Sequence, residues 1–408
     1  MRIPLLAISV AAALPAAITY HKDVAPILAQ RCLECHRQGE AAPMAFTSYA
    51  EVRPWATAIR QAVASAKMPP WLADPNFGHF RNDRRLSESE KQTIVEWTKT
   101  GAAEGDRKDA RPAPRFIEGW NIGQPDLTFD LGEEFEVPSS GVVPYKYFKV
   151  PSNFKDDVWV EAAEIRPDQR DVVHHVIVFM LGPDGKREGA DTGADLLVGW
   201  APGDPANIFE PGTAKLVKAG TIFRVQMHYT PSGTARKDRT RFGLRLAKGP
   251  VREQVITGRA INGRFIIPAG AADHEVKATW QAPSDVVLHS FMPHMHLRGK
   301  AFRYTIVYPD GREEIALDVP RYDFGWQLGY LLAKPLQLPA GTRIDCVARY
   351  DNSPNNKANP DPTKDVKWGD QTWEEMMIGW LDYTVPAVNG APRAEHQQTA
   401  GQREADRN

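Results

Sequence analysis

The chain has 408 residues, 42% apolar and 25% charged, with a formal net charge of −1. That length exceeds one compact core and asks for two or three domains. The lack of a basic excess argues against nucleic acid or an anionic membrane surface as partner, and 33 prolines with 31 glycines favour short strands and turns over long helices.

Residues 1–18 pair Arg2 with an apolar run that ends in small residues, the pattern of a cleaved secretory signal peptide. No later run is apolar enough to span a bilayer, so the mature protein is expected in the periplasm or outside the cell. Residues 19–107 carry helical spacing in "SYAEVRPWATAIRQAVASA" and "LSESEKQTIVEWTKTGAAEG", the second with a capping-box start at Ser87 and Glu90. Residues 108–118 are polar and proline-containing, a linker. From 119 to 386, short apolar or alternating runs such as "DDVWVEAAEI" and "RIDCVARYD" alternate with turn residues. They predict two antiparallel β-sandwiches, 119–260 and 261–386, with the division near 258–264. Residues 387–408 read as a disordered polar tail.

Two of the three cysteines, Cys32 and Cys35, stand in "CLECH" with His36. This spacing matches c-type haem attachment: two thioethers to the porphyrin vinyl groups and an adjacent histidine on the iron. A methionine on the opposite side would raise the potential and suit electron transfer. Met68, after a helix and before two prolines, is the first candidate, with Met44 as the alternative. Cys346 has no partner and reads as a small buried hydrophobe. The segment is similar to small class I cytochrome c domains. One covalently attached haem c is expected.

A second group of metal-ligating side chains lies further on: His174 and His175 in "VVHHVIVFM", His228 in "VQMHYT", His294 and His296 in "MPHMHLRG", and Met376 in "TWEEMMIGW". Neighbours on a regular strand face opposite ways, so His174 and His175 reach one metal only if the strand is deformed, by a bulge or at its end. His294 and His296, two apart, share a face. Imidazole suits copper, and a thioether favours its cuprous form. Met377 is the neighbouring alternative to Met376. Strand parity puts His289 on the face away from His294.

The order His-His, His, His-x-His, Met resembles the copper type II, ascorbate-dependent monooxygenases, which include the peptidylglycine α-hydroxylating and dopamine β-monooxygenases. The resemblance implies a fold of two antiparallel jelly-roll sandwiches, here following a small all-α cytochrome c domain. It also implies two copper ions. His174, His175 and His228 would hold an electron-transfer copper; His294, His296 and Met376 would hold the copper that activates dioxygen. The implied reaction hydroxylates a C–H bond of a small-molecule substrate. Ascorbate or another external electron donor supplies electrons, with the fused haem as the built-in route. Peptide-amidating members place arginine, asparagine and tyrosine where this chain has Met292, Ile378 and Trp380. That apolar set disfavours a peptide carboxylate and suggests a less polar substrate. The family's usual disulfides are absent. The competing reading is a non-catalytic copper-binding or redox-sensing electron-transfer protein, which would not need two different ligand sets.

Overall fold

The computed structural model describes residues 17–112, 114–187 and 195–387. The signal-peptide residues up to 16 and the tail from 388 onward lie outside the described residues. The chain divides into two compact units.

The first unit takes the described residues up to Gln38 together with Met44–Pro70 and Arg84–Arg115. Its helices are α1 (Ala25–Arg31), α2 (Tyr49–Val52), α3 (Ala56–Ala64) and α4 (Glu88–Lys99). Ser87 and Glu90 form the expected capping box at the start of α4, and Ser48 with Glu51 forms another at α2. Leu28, Val52, Ile59, Val63, Ile94 and Trp97 make a small core between them.

The expectation of a small all-α cytochrome c domain over 19–107 is not met. Strands far outnumber helices in the described chain, and these four helices span only 7, 4, 9 and 12 residues. The helical periodicity is real, but the intervening stretches are dominated by proline, glycine and polar residues and run as turns and bends. Moreover, Trp71–Asp83 belongs to the second unit, where Trp71 and Phe80 pack edge-on against Tyr330 at 5.0 and 5.4 Å. The region is therefore neither sizeable nor one helical body.

The second unit is built of strands. Its first sandwich contains β1 (Leu127–Asp130), β2 (Lys146–Pro151), β3 (Val158–Arg166), β4 (Val173–Leu181), β5 (Leu196–Trp200), β6 (Thr213–Val217), β7 (Ile222–Tyr229) and β8 (Arg241–Leu246). Its second contains β9 (Glu253–Ile261), β10 (His274–Gln281), β11 (Val286–His294), β12 (Gly299–Val307), β13 (Glu313–Val319), β14 (Tyr330–Leu338), β15 (Arg343–Tyr350) and β16 (Ile378–Pro386). Sheet order β2-β7-β4-β5 faces β1-β8-β3-β6 across a core of Val160, Ile165, Val176, Val178, Phe223 and Phe242. Sheet β10-β15-β12-β13 faces β9-β16-β11-β14 across Leu288, Phe291, Tyr304, Ile344, Cys346 and Leu381. Burying each such large apolar side chain contributes about 1.5–3 kcal/mol.

The two sandwiches share a sheet. β6 and β9 pair in parallel through Thr213 and Ala214 of β6, which joins the second and fourth of these layers, with the short strand Asn207–Ile208 alongside β3, into one nine-stranded sheet. β9 runs across the position near 258–264 where the sequence places the division, and pairs along its whole length with β16. Among the described residues no helix is long and apolar enough to cross a membrane.

Cys346 is free and fully buried, as a small hydrophobe should be. Gly379 makes room for it: a Cβ on that residue would stand 2.6 Å from the Cys346 sulfur. Gly379→Ala is therefore expected to overpack this layer and cost about 1–3 kcal/mol, measurable as a lowered melting temperature.

Candidate metal centre

His174 and His175 sit on β4 beside His228 of β7. The ladder between these strands slips there: Val173 pairs with Tyr229 and His175 with His228, so His174 is an inserted residue. The deformation turns two adjacent histidines toward one place, as their spacing requires. Ligating nitrogens of His174, His175 and His228 all lie within 4.8 Å of one another. Their ring centroids are 4.7–5.6 Å apart.

His294 ends β11 and His296 follows in the loop, with ring centroids 5.3 Å apart. Met295 between them points into the core, so the two histidines share the opposite side. Tyr322 holds this turn by its hydroxyl, which donates to the Met295 carbonyl (2.8 Å) and accepts from the Met295 N–H (3.1 Å). Nδ1 of His294 is 2.8 Å from Gln327 Oε1, and Nδ1 of His296 is 3.2 Å from the Glu374 carbonyl. Such partners fix ring orientation and leave Nε2 to a metal.

Met376 is partly buried and packs with Met292, Trp368, Ile378 and Trp380, whereas its alternative Met377 is sealed in the core. Ile378 pairs with His294 and Trp380 with Met292 across β16 and β11. Met292 and Trp380 also line a cavity of about 150 Å³ that contains Ser290, Asp382 and Lys215. Its wall is therefore not wholly apolar. Asp382 accepts from Thr257 (2.6 Å) and Ser290 (2.9 Å), and Lys215 donates to Thr257 and to the Leu196 and Leu197 carbonyls.

Five polar atoms of this centre are buried without partners. Nε2 of His175, Nδ1 of His228, Nε2 of His296, the Tyr145 hydroxyl and Nε2 of Gln327 have none. Such groups cost about 1–3 kcal/mol each when left unsatisfied, so their clustering fits a ligand-binding role. Burial, then neighbouring histidines, holds the His228 ring down at about 2 and His296 at about 3. Burial takes His174 and His294 down to about 4 and also depresses His175. All five are neutral at pH 7, the form that ligates metal. Neutral imidazoles suit zinc, copper, iron or nickel.

Three residues that are not among the sequence candidates complete the centre. Tyr145 lies 4.7 Å from His228, 5.4 Å from His175 and 6.4 Å from His296, centroid to centroid. Phe324 stacks on His174 at 4.8 Å. Glu375, fully buried, accepts from the backbone N–H groups of His296 (2.8 Å) and Arg298 (2.6 Å). Burial pushes its carboxyl up to about 8 despite those donors and Arg298. The "EEM" stretch was the available signal for Glu375; Tyr145 and Phe324 lie in ordinary polar and aromatic surroundings.

His289 does not follow strand parity. β11 slips between Leu288 and Ser290, and His289 turns to Thr384 (3.2 Å), lining a small hollow with Arg81 and Glu210. It stands apart from the five-histidine group.

In the first unit, His36 is tied by Nδ1 to the Met44 carbonyl (3.2 Å), and its ring stacks on Phe46 at 4.3 Å. Its N–H and that of Cys35 both bond the Cys32 carbonyl, closing the Cys32–His36 turn. Burial, then Cys35, pushes the Cys32 thiol up to about 12. Met44 packs with Cys32 against the small core; Met68 is partly buried at the end of the turn after α3. A histidine held through Nδ1 beside two cysteines fits a covalently attached haem.

No protein-family model matches this chain, and no curated protein matches it. Similar solved structures include the STIV MCP, 10% identical over 63% of this chain and 96% of that one, with a TM-score of 0.28. Another is infectious bursal disease virus Gx strain, at 9% over 65% and 74%, TM-score 0.21. A Paenibacillus xanthan lyase gives 11% over 72% and 29%, TM-score 0.18. Likeness at this level carries no argument about fold or function.

Proposed function

We propose that this chain is an exported copper-dependent monooxygenase that inserts one oxygen atom of dioxygen into a C–H bond of a small, largely apolar substrate. The observation that carries this reading is the group of five neutral histidines, three of which, His175, His228 and His296, keep a buried ring nitrogen without a protein partner. Storage of a metal needs no such mixture of a three-histidine set and a His-x-His set followed by a thioether. The resemblance to the copper type II, ascorbate-dependent monooxygenases rests on that order of ligands.

Two copper ions would supply dioxygen activation and one-electron transfer, and a haem c on Cys32, Cys35 and His36 would supply electrons from an external donor such as ascorbate. His174, His175 and His228 would hold one ion; His294, His296 and Met376 would hold the other. Gln327 and the Glu374 carbonyl orient the imidazoles of His294 and His296, and Glu375 pins the loop that carries His296. Met292, Ile378 and Trp380 provide the apolar wall beside the Met376 side chain and help keep bulk water from it. Ser290 and Asp382 at the polar part of the cavity suit a hydroxyl or amine on the substrate.

Metal and haem analysis of the exported protein should give two coppers and one haem per chain, with substrate-dependent oxygen consumption. Zinc without copper would overturn the reading. Met376→Ile should abolish oxygen consumption while histidine-bound copper persists; a variant as active as the parent protein would point to a non-catalytic copper binder. Preventing haem attachment with Cys32→Ser and Cys35→Ser should slow copper reduction by the external donor, and an unchanged rate would remove the haem from the electron route.

A further inference from the structure

The resemblance leads one to expect two separate copper sites, yet the two ligand sets here are contiguous. His175 of the first set and His294 of the second have ring centroids 6.4 Å apart. That is close to the 5.3 Å within the His294–His296 pair itself. Tyr145 touches both sets, through His175 and His228 on one side and His296 on the other. Phe324 does the same, lying 4.8 Å from His174 and 5.9 Å from His296.

The unpartnered nitrogens belong to both sets, and two buried hydrogen-bond donors, the Tyr145 hydroxyl and the Gln327 amide, accompany them without partners of their own. A chamber walled by rings of both sets cannot be assigned to one metal alone.

We propose that the five histidines form a single binuclear cage, in which two metal ions lie side by side and share a bridging water or hydroxide. Two-metal centres of this kind hold their ions roughly 3.5–4 Å apart, close enough for unpaired electrons on two cupric ions to couple through the bridge. Tyr145 and Gln327 are the groups placed to hydrogen-bond that bridge. The inference rests on the copper reading proposed above and changes its arrangement: one coupled pair replaces two isolated ions.

The test is a titration of the metal-free full-length protein with cupric ion, followed by bound-copper analysis and integration of the electron paramagnetic resonance signal in the copper region. With two ions bound per chain, most of the integrated signal should be lost, and it should return when the second ion is withheld. Two ions giving two full, independent spins would overturn the cage and leave the copper reading standing. One ion per chain at saturation would overturn the cage as well. No bound copper would overturn both.

Discussion

Glu375→Ala is expected to cost about 2–6 kcal/mol, because it removes the acceptor of two buried N–H groups, each costing about 1–3 kcal/mol when left unsatisfied. The His296 and Arg298 N–H groups would both lose their partner. Arg298 is 2% exposed, and its side chain donates to two neutral acceptors, the Asn352 side chain (2.8 Å) and the Trp373 carbonyl (2.9 Å). A penalty of that size lowers the melting temperature by roughly 10 °C for a unit of this length. Glu375→Gln keeps the shape but only one of the two accepting oxygens, so it should fall between the parent and the alanine variant. The variants should also weaken copper at the His-x-His set before the three-histidine set, since only the former hangs on this loop. Thermal melts with copper titrations check both statements, and an alanine variant that melts with the parent protein would refute the clamp.

That clamp shows where the sequence stopped being readable. His294, His296 and Met376 stand out as residue types with ligand chemistry in a recognisable order. Glu375 becomes meaningful only when the loop after β11 is folded against the segment before β16, a contact between residues 79 apart. Tyr145 is harder still, because a tyrosine ahead of a strand carries no motif, and its role comes from packing against three histidines of distant strands. Alternation and turn residues gave the strands of both sandwiches. They could not give the parallel contact of β6 with β9, which involves only two residue pairs. Parity succeeded at His174 and His175, where adjacency itself demanded a bulge, and failed at His289, where an unsignalled bulge in β11 turns the ring. In the first unit, the capping box at Ser87 forms as its sequence pattern predicts, but the helical spacing does not extend into a helical domain. The stretch around Trp71 and Phe80 instead serves the core of the second sandwich.

Acid should unfold the metal-free protein through the same histidines. An exposed histidine in the unfolded chain takes up a proton near pH 6.5, whereas in the folded centre the corresponding values are about 4 for His174 and His294, about 3 for His296 and about 2 for His228. His175, wholly enclosed, is also held below 6.5. Between those limits the unfolded state binds more protons than the folded state, so stability rises with pH and is lost as pH falls below 6.5. Each such histidine withdraws about 1.4 kcal/mol per pH unit across its window. Several acting together match the whole net stability of an ordinary domain, about 5–15 kcal/mol, within two pH units. The melting temperature of chelator-treated protein should therefore be nearly level above pH 7 and drop steeply from 6.5 toward 5. Bound copper should shift that drop to lower pH, because a ligand held only by the folded state adds to its stability. A metal-free protein whose melting temperature is flat from pH 7 to 5 would mean that these imidazoles already accept protons in the folded state, and that the centre is open to water rather than buried.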